Sequence, residues 1–211
     1  MTRTARVTDP SYELMDDHNG LSIIYRQHGF PCPLVRWHFH KEYELHLIVA
    51  TSGKAFVGDW IGPFQPGHLV LCGPRLPHNW VSMDMPEGGV AQRDLVIQFT
   101  HEPLAQASET IPELREVLPL LERAKHGIEF FGLSEAAEQH WHRVKAARGL
   151  RRLIAFCDYL AGRRRYTVLD RDGGFGAALH AGVDHEVADL LGRIHRDRVH
   201  RGLAVALGER R

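Results

Sequence analysis

Trp37-His38-Phe39-His40-Lys41-Glu42-Tyr43-Glu44-Leu45-His46-Leu47-Ile48-Val49-Ala50 bears on both the fold and the chemistry of this chain. From Glu44 to Ala50 the residues alternate in type, which is the pattern of a half-buried strand. Upstream, His38 and His40 stand two apart, a spacing that turns both imidazoles to one face of an extended segment. Working outward, Thr51-Ser52-Gly53-Lys54 reads as a hairpin turn, with Ala55-Phe56-Val57 returning from it. Leu21-Ser22-Ile23-Ile24-Tyr25 is a first strand, and His68-Leu69-Val70-Leu71-Cys72 and Asp94-Leu95-Val96-Ile97-Gln98-Phe99 are further ones. Pro63, Pro66-Gly67, Gly73-Pro74, Pro77 and Gly88-Gly89 punctuate them at short intervals. Many short strands with Gly/Pro turns predict a sandwich or barrel over residues 21–105, preceded by a polar arm at 1–20.

Beyond residue 100 the texture becomes helical. Thr110 is placed to cap a helix with Pro112 in its first turn and Leu114, Val117, Leu118 and Leu121 on one face. Gly127–Gly132 is a short extended insert. Ser134 is placed to cap a long helix running to Leu160 and ended by Gly162. Its apolar stripe is Trp141, Val144, Leu150, Leu153, Ile154, Cys157 and Leu160. Residues 106–165 therefore form a helical region, and 166–211 hold a Gly-rich linker at Gly173–Gly176 and a last helix from Asp184. The expected class is mainly β with C-terminal helices.

Composition narrows the function. The 211 residues are 44% hydrophobic and 25% charged, a globular balance. No apolar run approaches the roughly 20 residues that span a bilayer, and residues 1–20 lack the apolar core of a secretory signal. Cys32, Cys72 and Cys157 are too few for a disulfide framework, so a cytoplasmic, reducing setting is expected. Residues 143–211 hold 15 of the 26 Lys+Arg and 8 of the 26 Asp+Glu, leaving an acidic front with 11 and 18. Such asymmetry fits either a nucleic-acid-facing end or the solvated faces of Arg-rich helices.

The chemistry concentrates in H-x-H-x-x-x-E, formed by His38, His40 and Glu44, with His78 after the Pro74–Pro77 turn as a fourth group. Three imidazoles and a carboxylate suit a divalent transition metal such as Zn, Ni, Fe, Mn or Cu, whose open positions would support Lewis-acid or oxygen chemistry. The same four groups equally suit a metal-free lining for a polar ligand, with Trp80 as a candidate pocket wall. His46 shares the parity of Glu44 and reads first as a satisfied structural histidine. Cys72 and Cys157 read as inert core residues. No G-x-S-x-G elbow, phosphate loop or dinucleotide fingerprint appears, and no catalytic residue is assigned.

These residues resemble the cupins, small double-stranded β-helix (jelly-roll) barrels. H-x-H-x-x-x-E is similar to the first cupin motif, and Pro66-Gly67-His68-Leu69-Val70-Leu71 with Pro77-His78 to the second. The Glu44-to-Gly53 spacing is longer than the motif's, and Gly73–Ser82 departs from the usual second pattern. The ordered set narrows further. Trp37–Leu45, Phe56-Val57-Gly58-Asp59, Gly73-Pro74 and Leu76-Pro77-His78-Asn79-Trp80, then the helices and the insert, resemble the N-terminal effector domain of AraC-family transcription regulators. The resemblance implies a cupin that binds a small effector, followed by a helical segment that forms a homodimer. The stripe residues Leu150, Leu153, Ile154 and Cys157 would serve that dimer. DNA would be reached only through a missing or separate helix-turn-helix module, because Asp189–Ile194 resembles only the entry into one.

Three functions compete on this basis. The first is a ligand-sensing and dimerising module binding a small polar effector at His38, His40, Glu44, His78 and Trp80. The alternative is a stand-alone metal-dependent cupin enzyme of dioxygenase or isomerase type. The third is a non-DNA-binding partner that forms mixed dimers with a full-length regulator. No membrane association is expected.

Overall fold

The computed structural model describes residues 9–15, 20–33, 35–162 and 165–169. The strands fall into two sheets rather than one closed barrel. The first contains β1 (Ser11–Tyr12), β3 (His38–Phe39), β5 (Ser52–Val57), β6 (Trp60–Phe64) and β8 (His78–Asp84), in spatial order β1-β3-β8-β5-β6. The second contains β2 (Ile23–Phe30), β4 (Tyr43–Ile48), β7 (Leu69–Cys72), β9 (Val90–Phe99), β10 (Ile128–Phe131) and β11 (Arg165–Val168), in order β11-β10-β7-β4-β9-β2. The helices are α1 (His101–Thr110), α2 (Leu118–Arg123), α3 (Ser134–Ala146) and α4 (Gly149–Ala161), with 3-10 turns at Pro112–Val117 and Ala124–His126. The chain is thus mainly β with helices toward its C-terminal side.

The second sheet is buried on both faces, and β4 shows why. Tyr43, Leu45 and Leu47 point to one side, where Leu69, Leu71, Leu95, Ile97 and Phe99 join Trp141, Val144, Phe156 and Leu160 of the helices in one core. Glu44, His46 and Ile48 point to the other side, toward the first sheet. There Ile48, Val70 and Cys72 meet Ala55, Val57, Phe64 and Trp80. The alternation of type expected of a half-buried strand is present, but every residue of β4 is buried. The polar set is turned to an interior space between sheets and not to water.

Two local expectations are corrected. Residues 51–54 do not close a hairpin, because β4 pairs with β7 and β9 while β5 pairs with β6 and β8. Thr51, at φ 69°, redirects the chain from one sheet to the other. The tight hairpin is the next one, β5–β6, where Val57 faces Trp60 and Gly58 takes φ 57°. The long helix of 134–160 is two helices. Ala147 and Arg148 are extended and Gly149 turns at φ 52°, so α4 folds back along α3, with Arg143 paired to Asp158 and His140 stacked on Tyr159. Gly162 ends α4 as expected.

The expected caps differ as well. Ser134 is the first residue of α3 behind Leu133 and caps nothing with its side chain. Thr110 closes α1, bonding back to the Ala107 carbonyl at 3.2 Å, because the chain is already helical from His101. The Gly127–Gly132 insert is β10, paired with β7. The arm contributes β1, which pairs with β3 through Ser11 and Tyr12 opposite His38 and Phe39. The helix expected from Asp184 and the Gly173–Gly176 linker lie outside the described residues.

Candidate functional site

Strand pairing assembles the histidines. His38 on β3 faces His78 on β8 in register, with ring centroids 4.5 Å apart. His40 follows β3, and its ring lies 5.8 Å from that of His38 and 5.1 Å from that of His78. The turn before β8 is fastened there because Arg75, at φ 63°, donates its backbone N–H to the His40 carbonyl at 2.7 Å. One ring nitrogen from each of the three histidines lies within 4.8 Å of the others.

Hydrogen bonding identifies that nitrogen. Nδ1 of His38 meets the Arg36 carbonyl at 2.7 Å, Nδ1 of His40 the Glu42 carbonyl at 3.1 Å, and Nδ1 of His78 the Leu76 carbonyl at 2.8 Å. A carbonyl only accepts, so each Nδ1 carries a proton and Nε2 is the atom that would meet a ligand, although His40 Nε2 is turned to the Glu44 carboxylate in this structure. Backbone carbonyls hold all three imidazoles in this way, the arrangement that orients histidines around a metal. Nε2 of His78 is buried and has no hydrogen-bond partner among the described residues. Burial pushes the His78 pKa down to about 3, so its lone pair is free.

Glu44 flanks this group from β4. Its Oε2 accepts from His40 Nε2 at 3.0 Å and from Gln98 Nε2 at 2.8 Å. Its Oε1 accepts from His46 Nδ1 at 2.7 Å and lies 3.6 Å from His78 Nε2. Burial disfavours its charge, but the bonds from His40 and His46 outweigh burial and hold the carboxyl well below its usual range. Burial likewise opposes charge on His40, yet Glu44 raises its pKa. The predicted set of His38, His40, Glu44 and His78 is therefore brought together, with Glu44 beside the mutually close imidazoles. Its chemistry fits a divalent transition metal: three oriented Nε2 atoms, one of them orphaned, and an adjacent carboxylate.

A polar tier continues from Glu44 along the same face. Gln98 on β9 sits opposite Glu44, and Asp94 opposite Ile48 and His28. Asp94 accepts from His28 Nδ1 at 2.7 Å and from Arg93 Nε and Nη2 at 2.9 and 2.6 Å. His46 Nε2 stands 3.6 Å from Asp94 Oδ2, a charge contact beyond hydrogen-bond length. Burial works against charge on His46, but Asp94 and Glu44 together raise its pKa to about 9. Trp80 is 2% exposed, stacks on His46 with centroids 3.9 Å apart, and donates Nε1–H to His68 Nδ1 at 3.2 Å. It lines the cavity between the sheets.

The open space between these groups is about 50 Å³, room for an ion or a few waters. The arm covers it. Glu13 Oε2 lies 3.2 Å from His38 Nε2, and Met15 Sδ lies 3.7 Å from Gln98 Nε2. Sequence reasoning undervalued His46 and missed Glu13, Arg26, His28, Arg93, Asp94 and Gln98. The alternation of Asp94, Val96 and Gln98 carried a signal for the β9 members, since it matches that of β4. Nothing in sequence tied Glu13 to His38.

On the other side of the second sheet, α1 and α4 bound an apolar groove of about 580 Å³. Leu150, Leu153, Ile154 and Cys157 all line it. The first three are 70%, 42% and 58% exposed. Among the described residues no helix is long and apolar enough to cross a membrane. The chain matches no protein-family model and no curated protein.

Proposed function

We propose that this chain is the ligand-sensing and dimerising module of an AraC-like transcription regulator, with a cupin jelly roll that takes a small polar ligand between its sheets. One observation carries the reading: the second sheet has the polar pocket on one face and the exposed helical groove on the other. In β4, Glu44 and His46 face the pocket while Tyr43, Leu45 and Leu47 face the helical core. A ligand that favours one arrangement of Glu44 and His46 thereby acts on the elements that carry the groove. The groove is the dimer surface, because Leu150, Leu153 and Ile154 leave more apolar area in water than an isolated chain favours.

Sedimentation of the full chain tests this. The wild type is expected to be a dimer, and Leu153→Glu or Ile154→Glu a folded monomer. A monomeric wild type, or dimers that survive both substitutions, would remove the reading.

The histidine cluster favours a second reading, a metal-dependent cupin enzyme. His38, His40 and His78 would hold the ion through Nε2, with Glu44 beside them. A bound divalent metal would supply Lewis-acid polarisation or oxygen chemistry there. The chain's own residues exclude water by burial and keep Nδ1 protonated against carbonyls. Elemental analysis of protein purified without chelating resin, with about one transition-metal atom per chain, would bring this reading level with the first.

A further inference from the structure

We infer that the corner where α3 turns into α4 docks on the phosphate backbone of duplex nucleic acid, a sequence-independent contact made by this module itself. The inference goes beyond the sensing reading and rests on it in one respect, that a second copy covers the groove beside the corner. Between Glu138 and Asp158 the sequence holds no acidic residue and five permanent cations: Arg143, Lys145, Arg148, Arg151 and Arg152. Because α3 ends at Ala146 and α4 starts at Gly149, all five lie within about one turn of the reversal. Three of them are held in place. Arg143 is paired to Asp158. Lys145 lies 4.8 Å over the Trp141 ring and donates to Gln27 Oε1 at 3.0 Å. Arg152 lies 5.2 Å over the Tyr25 ring and donates Nε–H to the Ala147 carbonyl at 3.0 Å. These contacts fix the side chains of Lys145 and Arg152 without neutralising either charge.

Arg148 and Arg151 are exposed and have no ion pair or hydrogen bond among the described residues. Their planar guanidinium groups match phosphate oxygens in pairs. A duplex carries one negative charge per roughly 1.7 Å of its axis, so it engages cations spread over a surface, where a single small anion meets only one or two. An anionic membrane is the competing polyanion. It would take up Leu150, Leu153 and Ile154, exposed on the same helix, together with the cations. Those three line the groove, and a second copy seated there removes them from water. The cations are then what the corner presents, and cations without an apolar wedge suit phosphate contact rather than insertion into lipid.

The test is fluorescence anisotropy of a short labelled DNA duplex of arbitrary sequence, titrated with the full chain over a range of salt. The wild type is expected to bind, with the logarithm of its affinity falling linearly with the logarithm of salt. Arg148→Ala combined with Arg151→Ala removes two phosphate contacts and should lower that slope by about 1.8. Its deficit against the wild type should therefore shrink on the order of tenfold between roughly 50 and 200 mM salt. Arg148→Lys with Arg151→Lys keeps both charges and should keep the slope. An unchanged slope in the alanine variant would overturn the assignment, because cations elsewhere in the chain would then carry the binding. So would a wild type that ignores the duplex, whether or not it binds phosphatidylserine vesicles. Neither arginine lines the groove, so sedimentation decides the sensing reading separately.

Discussion

His46 and its neighbours give the site opposite responses to acid and base. His46 has a folded pKa of about 9 against an ordinary 6.5. Its charged form therefore stabilises the native state fully below pH 6.5, and that contribution is lost as pH rises toward 9. The size is on the order of 3 kcal/mol from the shift. Burial, aided by the His46 charge, lowers His68 to about 4, and burial lowers His78 to about 3. The unfolded chain binds their protons more readily, so stability also falls as pH drops from 6.5 toward 4. Urea denaturation of chelator-treated protein should show a maximum near pH 6.5. In His46→Gln the loss between pH 6.5 and 9 should flatten while the acid limb remains. An unchanged alkaline limb would mean that His46 is not the titrating group. The same residues define the metal prediction. His78→Ala removes an Nε2 that has no hydrogen-bond partner among the described residues, and with it the Nδ1 bond to the Leu76 carbonyl, so it should cost some stability. His40→Ala also removes a donor to Glu44 and should cost stability. Both should abolish stoichiometric Zn uptake by elemental analysis, and retention in either would reject the ligand set.

Trp141 ties the helical layer to the sheet. It is 2% exposed on α3, and its Nε1–H donates to the Val96 carbonyl at 3.0 Å. Val96 lies between Asp94 and Gln98 on β9, and the ring meets Tyr25 edge-on at 6.0 Å. Trp141→Phe keeps most of the apolar contact but loses a hydrogen bond to a carbonyl that β9 also holds in its ladder, an expected loss of about 1 kcal/mol in urea denaturation. A loss under about 0.5 kcal/mol would show that water replaces the donor. The sequence pattern made Trp141 a buried helix residue, and β4, β7, β9 and β10 were legible from period-two texture and Gly/Pro boundaries. Sheet membership was not. The switch at Thr51 depends on one backbone conformation, which side-chain periodicity does not encode. The α3–α4 break was hidden for a similar reason: Trp141, Val144 and Leu160 enter one core from two helices, so the apolar stripe runs through the break. At the site, His38, His40, Glu44 and His78 were legible from spacing and turn position. Asp94, Arg26 and Glu13 were not, because each becomes a neighbour only through long-range pairing.

At the scale of the whole molecule, pocket and groove lie on opposite faces of one sheet. The route between them is short: Glu44 and Gln98 face the pocket, Leu45, Leu95 and Ile97 face the helices from the same two strands, and Phe99 packs edge-on against Phe156 of α4 at 4.8 Å. Phe99, Phe156, Leu153 and Ile154 line the groove together. If the pocket senses and the groove dimerises, linkage requires that an occupant changing the dimer constant is itself bound more tightly or weakly by the same factor in the dimer. Zn(II) is a usable probe, because it would pull His40 and His78 onto one ion and take His40 Nε2 away from Glu44. The dimer constant from sedimentation is expected to shift about 5- to 150-fold between chelated and Zn-loaded protein, the span of typical couplings. In Trp141→Phe the shift should shrink while Zn stoichiometry stays at one per chain, since the substitution loosens the helical layer and leaves the imidazoles in place. An identical dimer constant with and without Zn would make the two faces independent. The sheet would then act as a wall between a metal site and an assembly surface, and the enzyme reading would gain over the sensor.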